Sequence, residues 1–130
     1  IFATAPLITS DDIDEGKNVL EITGADLALA VTEFRSAPQR AQYVDDNGYL
    51  QYEYPENYSV RTQDLKNMYH DAAQFVWGKS SSFLAPVTDL NIAPVRIAAE
   101  RVIDIDTVED WNYAEYLYLA HHNRNLKLVG

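Results

Sequence analysis

No cysteine occurs in the chain, which removes disulfides and thiolate metal sites and leans towards a reducing compartment. Basic residues are also scarce: 10 Lys and Arg face 20 Asp and Glu, a formal charge of -10, and no cationic cluster interrupts the acidity. An electrostatic grip on nucleic acid or on anionic lipid is therefore not expected. Any anionic ligand must be held by a few placed cations or by a metal ion. No segment combines the length and apolarity of a membrane span or a signal peptide, so the sequence reads as cytoplasmic. Repeats, low-complexity tracts and signs of a second domain are missing too.

What is present suits one globular domain. Residues of hydrophobic type make up 47% of the 130, enough to bury roughly two thirds of the extended-chain surface. The chain opens without Met in the apolar run Ile1-Phe2-Ala3, which reads as the continuation of something longer.

The most informative stretch runs from Arg101 to Trp111. Val102, Ile103 and Ile105 are apolar, while Asp104 and Asp106 sit two apart, so on a pleated strand both carboxylates share a face. At an effective dielectric of about 20, carboxylates ~5 Å apart repel by about 3 kcal/mol. Water and hydrogen bonds screen such a pair, one acid carries a proton, or a divalent cation lies between the oxygens. Thr107 then opens a helix with Asp110 as its capping-box partner and Glu109 on the positive end of the dipole. The pair is thus expected at the carboxyl end of a strand, where open α/β sheets place ligands. A solvated acidic strand end followed by an ordinary cap is the plain alternative.

The chain in order supports an α/β class. Ile1 to Leu7 reads as a short buried strand ended by Pro6. A helix follows, with Thr9 and Ser10 as candidate caps, Asp11, Asp12, Asp14 and Glu15 on its positive end, and Gly24 as a left-handed terminator. Its apolar stripe is Ile13, Val19, Leu20 and Thr23. Leu27 to Thr32 is a continuous apolar run, as expected of a parallel strand covered on both faces, and completes a βαβ unit.

Between Pro38 and Tyr58 the composition turns polar and aromatic. Asn47-Gly48 predicts a type I′ hairpin carrying Tyr43, Tyr49, Tyr52 and Tyr54. A lone hairpin is marginal in water, so it either meets a partner surface or folds back on its own domain. Thr62 is expected to cap a short helix reaching Met68. Tyr69 to Lys79 returns as a strand in which His70, Asp71 and Gln74 stand where folding alone prefers Val or Ile. Ser80-Ser81-Ser82 caps a turn beginning at Phe83, and residues 85–95, holding Pro86 and Pro94, read as a loop. The last helix spans Thr107 to about His122, ending near Asn123, with Val108, Trp111, Ala114, Leu117 and Tyr118 as its buried side.

Four of these motifs together resemble the acylneuraminate cytidylyltransferases: Thr4-Ala5-Pro6-Leu7, Arg61-Thr62-Gln63-Asp64-Leu65, Tyr69 through Trp77, and Asp104 through Trp111. Tyr69-His70-Asp71, followed by Gln74-Phe75 and Trp77, is most similar to the pseudaminic acid branch. Ala5 stands where the sialic acid enzymes usually carry Ser, which fits that branch. The resemblance implies a partial three-layer, Rossmann-like nucleotidyltransferase sheet with a projecting hairpin, residues 38–60, through which a homodimer forms. It implies CTP and a nine-carbon 2-keto sugar acid as substrates, with the CMP-sugar and pyrophosphate as products.

By the same resemblance Asp104 and Asp106 would hold Mg²⁺ and serve catalysis. Arg61 would reach a substrate carboxylate or phosphate as a fork. Gln74, Phe75, His70 and Asp71 would line the sugar pocket. The family opens with a glycine-rich basic loop around the triphosphate. Here the five glycines are Gly16, Gly24, Gly48, Gly78 and Gly130, no two adjacent. The chain is accordingly expected to be the C-terminal part of one cytidylyltransferase domain, inactive on CTP by itself. Two other readings stand beside this one: a non-catalytic dimerisation or sugar-acid-binding remnant, and a metal-dependent glycosyltransferase.

Remaining polar features carry less. His121 and His122 diverge by about 100° on a helix and cannot share one ion. Lys79 reads as a solvated lysine before a phosphate ligand, and the serine run shows no base beside it.

Overall fold

The computed structural model describes residues 1–127, with side chains through residue 121. It divides into two compact units, residues 33–70 and the remainder, each treated by itself below.

In the larger unit the helix α1, Ser10–Thr23, begins and ends as its sequence dictates. Thr9 is its N-cap in a complete capping box: Thr9 Oγ1 accepts from the Asp12 amide at 3.3 Å, and Asp12 Oδ2 accepts from the Thr9 amide at 3.0 Å. Gly24 closes it at φ 66°, its amide donating to the Leu20 carbonyl. Only a residue without Cβ takes that conformation freely.

Strand β1, Leu27–Glu33, is the apolar run, with Ala28 and Ala30 fully buried. It is the centre of a three-stranded sheet in which β4, Tyr69–Gly78, lies on one side and β5, Ile92–Arg96, on the other. β1 and β5 run parallel, Leu27 opposite Ile92 through Val31 opposite Arg96. The α/β, Rossmann-like class is therefore as expected, as an open sheet with helices. The core gathers Ala28, Ala30, Ala72, Phe75, Val95 and Ile97, with Val19, Leu20, Trp77 and Val102 packed on it.

Three sequence-based expectations for this unit are corrected. Residues 85–95 are not a loop throughout, because β5 begins at Ile92. Pro94 is tolerated there since β5 is an edge strand and a missing N–H can face outward. Its exposed position alternates with buried Ala93 and Val95. Residues 1–7 form no strand but a pair of turns; one bond, Phe2 N–H to the Gln74 carbonyl at 2.8 Å, is not a ladder. The βαβ unit thus lacks its first strand. Residues 101–106 are not a strand either. The chain leaves β5 through a 3₁₀ turn, Ala99–Arg101, is extended at Val102, and has no strand from there to the start of the last helix.

The smaller unit holds the hairpin β2, Gln42–Val44, and β3, Leu50–Tyr52, paired antiparallel with Tyr43 opposite Gln51. Its turn is not type I′. That type needs positive φ at two successive residues, and only Gly48, at φ 83°, is positive here. Asp45 builds the loop instead. Its carboxylate accepts from the amides of Asn47 and Tyr49 and from Gln51 Nε2, all within 3.0 Å, and these bonds lower its pKa, the Tyr49 amide most. The expected helix after Thr62 is a single 3₁₀ turn, Thr62–Asp64. No residue from 33 to 70 is buried.

Candidate functional site

The acidic segment is held at both ends. At its start Arg101 closes the 3₁₀ turn, and its guanidinium donates to both carboxylate oxygens of Asp12, at 2.5 and 2.7 Å. The two side chains are 23% and 10% exposed, a partly desolvated fork of the stronger kind. Asp12 is held at a pKa of about 2, chiefly by the Arg101 bond, with the Thr9 bonds adding to it against the cost of burial. Asp12 in turn raises the Arg101 pKa. Gln74 Nε2 donates to the Arg101 carbonyl at 2.7 Å.

At the far end Asp110 Oδ2 accepts from the amides of Asp106 and Thr107, at 3.2 and 2.8 Å, and from Thr107 Oγ1 at 2.7 Å. The Asp110 amide donates back to Thr107 Oγ1. This is the expected capping box, and the Thr107 hydroxyl is the main reason the Asp110 pKa is lowered. It opens α2, Val108–Lys127.

Between the clamps the alternation read from the sequence survives without a sheet. Val102, Ile103 and Ile105 are half-buried, whereas Asp104 and Asp106 are exposed. Both aspartates are therefore open to solvent on a segment anchored at each end. Among the described residues no three His, Asp or Glu side chains converge as a ready-made metal cage. Two exposed carboxylates are a donor set that Mg²⁺ can use where water and phosphate oxygens fill the rest of its octahedron.

β4 places the other expected residues. His70 and Asp71 are exposed at its start, and the His70 ring lies 4.8 Å from that of Phe34. Asp71 Oδ1 accepts from the Ala73 amide at 2.8 Å, and Ala73 takes φ 50°. A non-glycine residue there is strained, and strain of that kind gathers at functional sites. The kink breaks the period of two, so Gln74 and Phe75 are both 1% exposed. Phe75 is a core residue against α1. Gln74 is buried with its Oε1 unpartnered.

In the smaller unit Arg61 forks onto Asp64, Nε to Oδ2 at 2.7 Å and Nη2 to Oδ1 at 3.3 Å. The pair is 71% and 45% exposed. Lys79 is exposed, Ser82 is buried, and His121 is half-buried beside Glu100 and Leu117. His122 lies outside the described side chains.

Sequence reasoning missed two features. Asp12 looked like one acid among several matching a helix dipole; its partner stands 89 residues away, which no local pattern reveals. The second is a hollow of about 360 Å³ between residues 6–7, Ile105 and α2, walled by Trp111, Tyr118 and Leu119. The α2 side expected to be buried is mostly open: Val108 is 72% exposed, Trp111 57% and Tyr118 51%, while Ala114 is buried and Leu117 half-buried.

No model of a known protein family matches the chain. Among curated proteins it is 31% identical to the pseudaminic acid cytidylyltransferase of Campylobacter jejuni serotype O:2, over 94% of this chain and 53% of that protein. The counterpart from serotype O:23/36 is 30% identical over the same shares. A Helicobacter pylori protein, named pseudaminic acid cytidylyltransferase and UDP-2,4-diacetamido-2,4,6-trideoxy-beta-L-altropyranose hydrolase, is 32% identical over 62% of this chain and 16% of its own length. The chain spans about half the length of the first two relatives. The resemblance carried by four motifs thus extends over nearly the whole chain.

Proposed function

We propose, with that kinship as premise, that this chain is part of a cytidylyltransferase that activates pseudaminic acid, or a closely similar nine-carbon 2-keto sugar acid, as its CMP-sugar. The observation that carries the proposal is the pair Asp104 and Asp106, both exposed on a segment clamped at each end. Two exposed carboxylates two residues apart offer oxygen ligands to a divalent cation and leave its other positions to water and phosphate.

In the reaction the anomeric hydroxyl oxygen attacks the α-phosphorus of CTP. The bond from that phosphorus to the α–β bridging oxygen breaks, and pyrophosphate leaves with the electron pair. The hydroxyl proton goes to water or to one carboxylate of the pair. Asp104 and Asp106 would hold Mg²⁺, which would supply charge neutralisation for the phosphates. The residues of the chain supply positioning, which is most of what such a transfer requires. Arg61 is suited to an oxyanion because its fork now rests on Asp64 in an exposed pair, worth at most about 1 kcal/mol, so an incoming carboxylate or phosphate displaces it cheaply. His70 and Asp71, exposed at the start of β4, are assigned to the sugar acid, whereas Gln74 and Phe75, each 1% exposed, present no surface to it.

The hairpin supports a homodimer. Tyr43, Val44, Tyr49 and Leu50 are each more than half exposed, and side chains of this kind carry the buried centre of protein interfaces. A cytoplasmic setting, where CTP is made, suits the reaction, and among the described residues no helix is long and apolar enough to cross a membrane.

The test is Asp106→Asn in the whole protein that contains this chain. Pyrophosphate release from CTP and pseudaminic acid should become undetectable while the circular dichroism spectrum is unchanged. Full turnover in that variant removes the metal assignment.

A further inference from the structure

We infer that Asp12 and Arg101, with Gln74, are positioning residues that fix where Asp104 and Asp106 present their carboxylates to the cation. The inference rests on the metal reading above and adds to it the means by which an unpaired segment keeps a set geometry.

The acidic stretch has no ladder to hold it. An extended strand outside a sheet samples many backbone conformations, and each bound cation would have to order it anew. Here the root of the stretch is gripped through two separate groups of one residue. The Arg101 side chain is tied to α1 through Asp12, and its main-chain carbonyl is tied to β4 through Gln74. Two anchors on different elements fix a residue in orientation as well as position.

Each anchor is itself immobilised. Asp12 is locked into the α1 capping box by Thr9, whose amide and hydroxyl donate to Oδ2 at 3.0 and 2.7 Å. Gln74 is 1% exposed beside the strained Ala73. Downstream, the Asp106 amide is held by Asp110, so only residues 102–105 lie between fixed points. Val102 is seated on the core, which orients the alternation and turns Asp104 outward. Carboxylate ligands need such support from the groups behind them, whose loss typically costs 10–100-fold in metal affinity.

The chemistry of the fork makes a specific demand. Lysine keeps the charge of Arg101 but cannot span both oxygens of Asp12, so Arg101→Lys separates geometry from electrostatics. Asp12→Asn keeps the shape and removes the charge.

The experiment uses the whole protein containing this chain. It compares the parent with Arg101→Lys, Asp12→Asn and Asp106→Asn, at a temperature where folded spectra superpose. Mn²⁺ binding in the presence of CTP is followed by electron spin resonance, and turnover is titrated with Mg²⁺. The expected result is a Mn²⁺ dissociation constant raised about tenfold or more in Arg101→Lys and Asp12→Asn, with kcat recovering at high Mg²⁺. In Asp106→Asn neither binding nor rescue is expected. A merely structural role lowers the melting temperature and leaves the Mg²⁺ requirement alone.

If Asp106→Asn abolishes binding while both fork variants bind Mn²⁺ like the parent, the positioning role is overturned and the metal reading stands. If Asp106→Asn binds Mn²⁺ normally, the metal reading fails and this inference fails with it. If neither fork variant folds, the pair is a folding device and the positioning role is likewise overturned.

Discussion

The indole N–H of Trp77 donates to the main-chain carbonyl of Ile13 across 2.8 Å, joining β4 to the first turn of α1. A carbonyl inside a helix is reachable by a side chain only where the helix surface is low, and Gly16 makes it so. An added Cβ at Gly16 would lie 2.5 Å from Phe75 Cε2 and 2.5 Å from Trp77 Cδ1. Gly16→Ala should therefore destabilise the chain by about 1–3 kcal/mol, against the usual gain from alanine in a helix. A thermal melt checks this, and an unchanged midpoint would show that α1 shifts freely.

Acid should loosen the same face of α1. Asp12 has a folded pKa of about 2 against 3.8 when unfolded, so the unfolded chain takes up its proton first. The stability this group contributes is complete above pH 3.8 and is lost as the pH falls from there towards 2. It is on the order of 1–2 kcal/mol. Urea midpoints measured across that window should fall less steeply in Asp12→Asn than in the parent.

Ala73 is the one non-glycine residue with positive φ among those described. Glycine adopts that conformation without the clash between Cβ and the carbonyl, so Ala73→Gly should raise stability by about 0.5–1 kcal/mol, opposite to the usual effect of glycine in a strand. The melting temperature reports it. A fall would mean that the lost methyl contact and the greater entropy of glycine in the unfolded chain outweigh the relief of strain.

Removing the hydroxyl of Thr107 takes away a bond to Asp110 and the cap of the Asp110 amide. Thr107→Ala should fray the first turn of α2 and free the Asp106 amide that shares the same acceptor. Reduced helical ellipticity together with faster hydrogen exchange at Asp106 is the expected result.

These sites show how far local pattern reaches. Thr9-x-x-Asp12, Gly24, Thr107-x-x-Asp110 and the Leu27 to Thr32 run are short-range signals, and each element they predict is present. The alternation at residues 102–106 was legible as burial but not as pairing, because half-burial of one face needs a core and not a neighbouring strand. Pro94 concealed β5, since an edge strand forgives a missing donor that a central strand does not. The Asn47-Gly48 pair marked a turn correctly, while Asp45, three residues ahead of Gly48, decided its type through side-chain bonds. Long-range pairings such as Arg101 with Asp12 leave no local trace, and that is why the support of the acidic segment emerged only with the fold.

The chain's two tryptophans occupy opposite surroundings. Trp77 is packed on the core with its N–H engaged, and Trp111 stands 57% exposed at the lip of the hollow beside Ile105. Fluorescence should therefore resolve into a blue-shifted component shielded from iodide and a red-shifted one open to it. The red-shifted emitter sits one residue past Asp110 and next to the acidic segment. Its colour gives a built-in optical gauge of events at the two aspartates, while the other serves as an internal reference for the folded state.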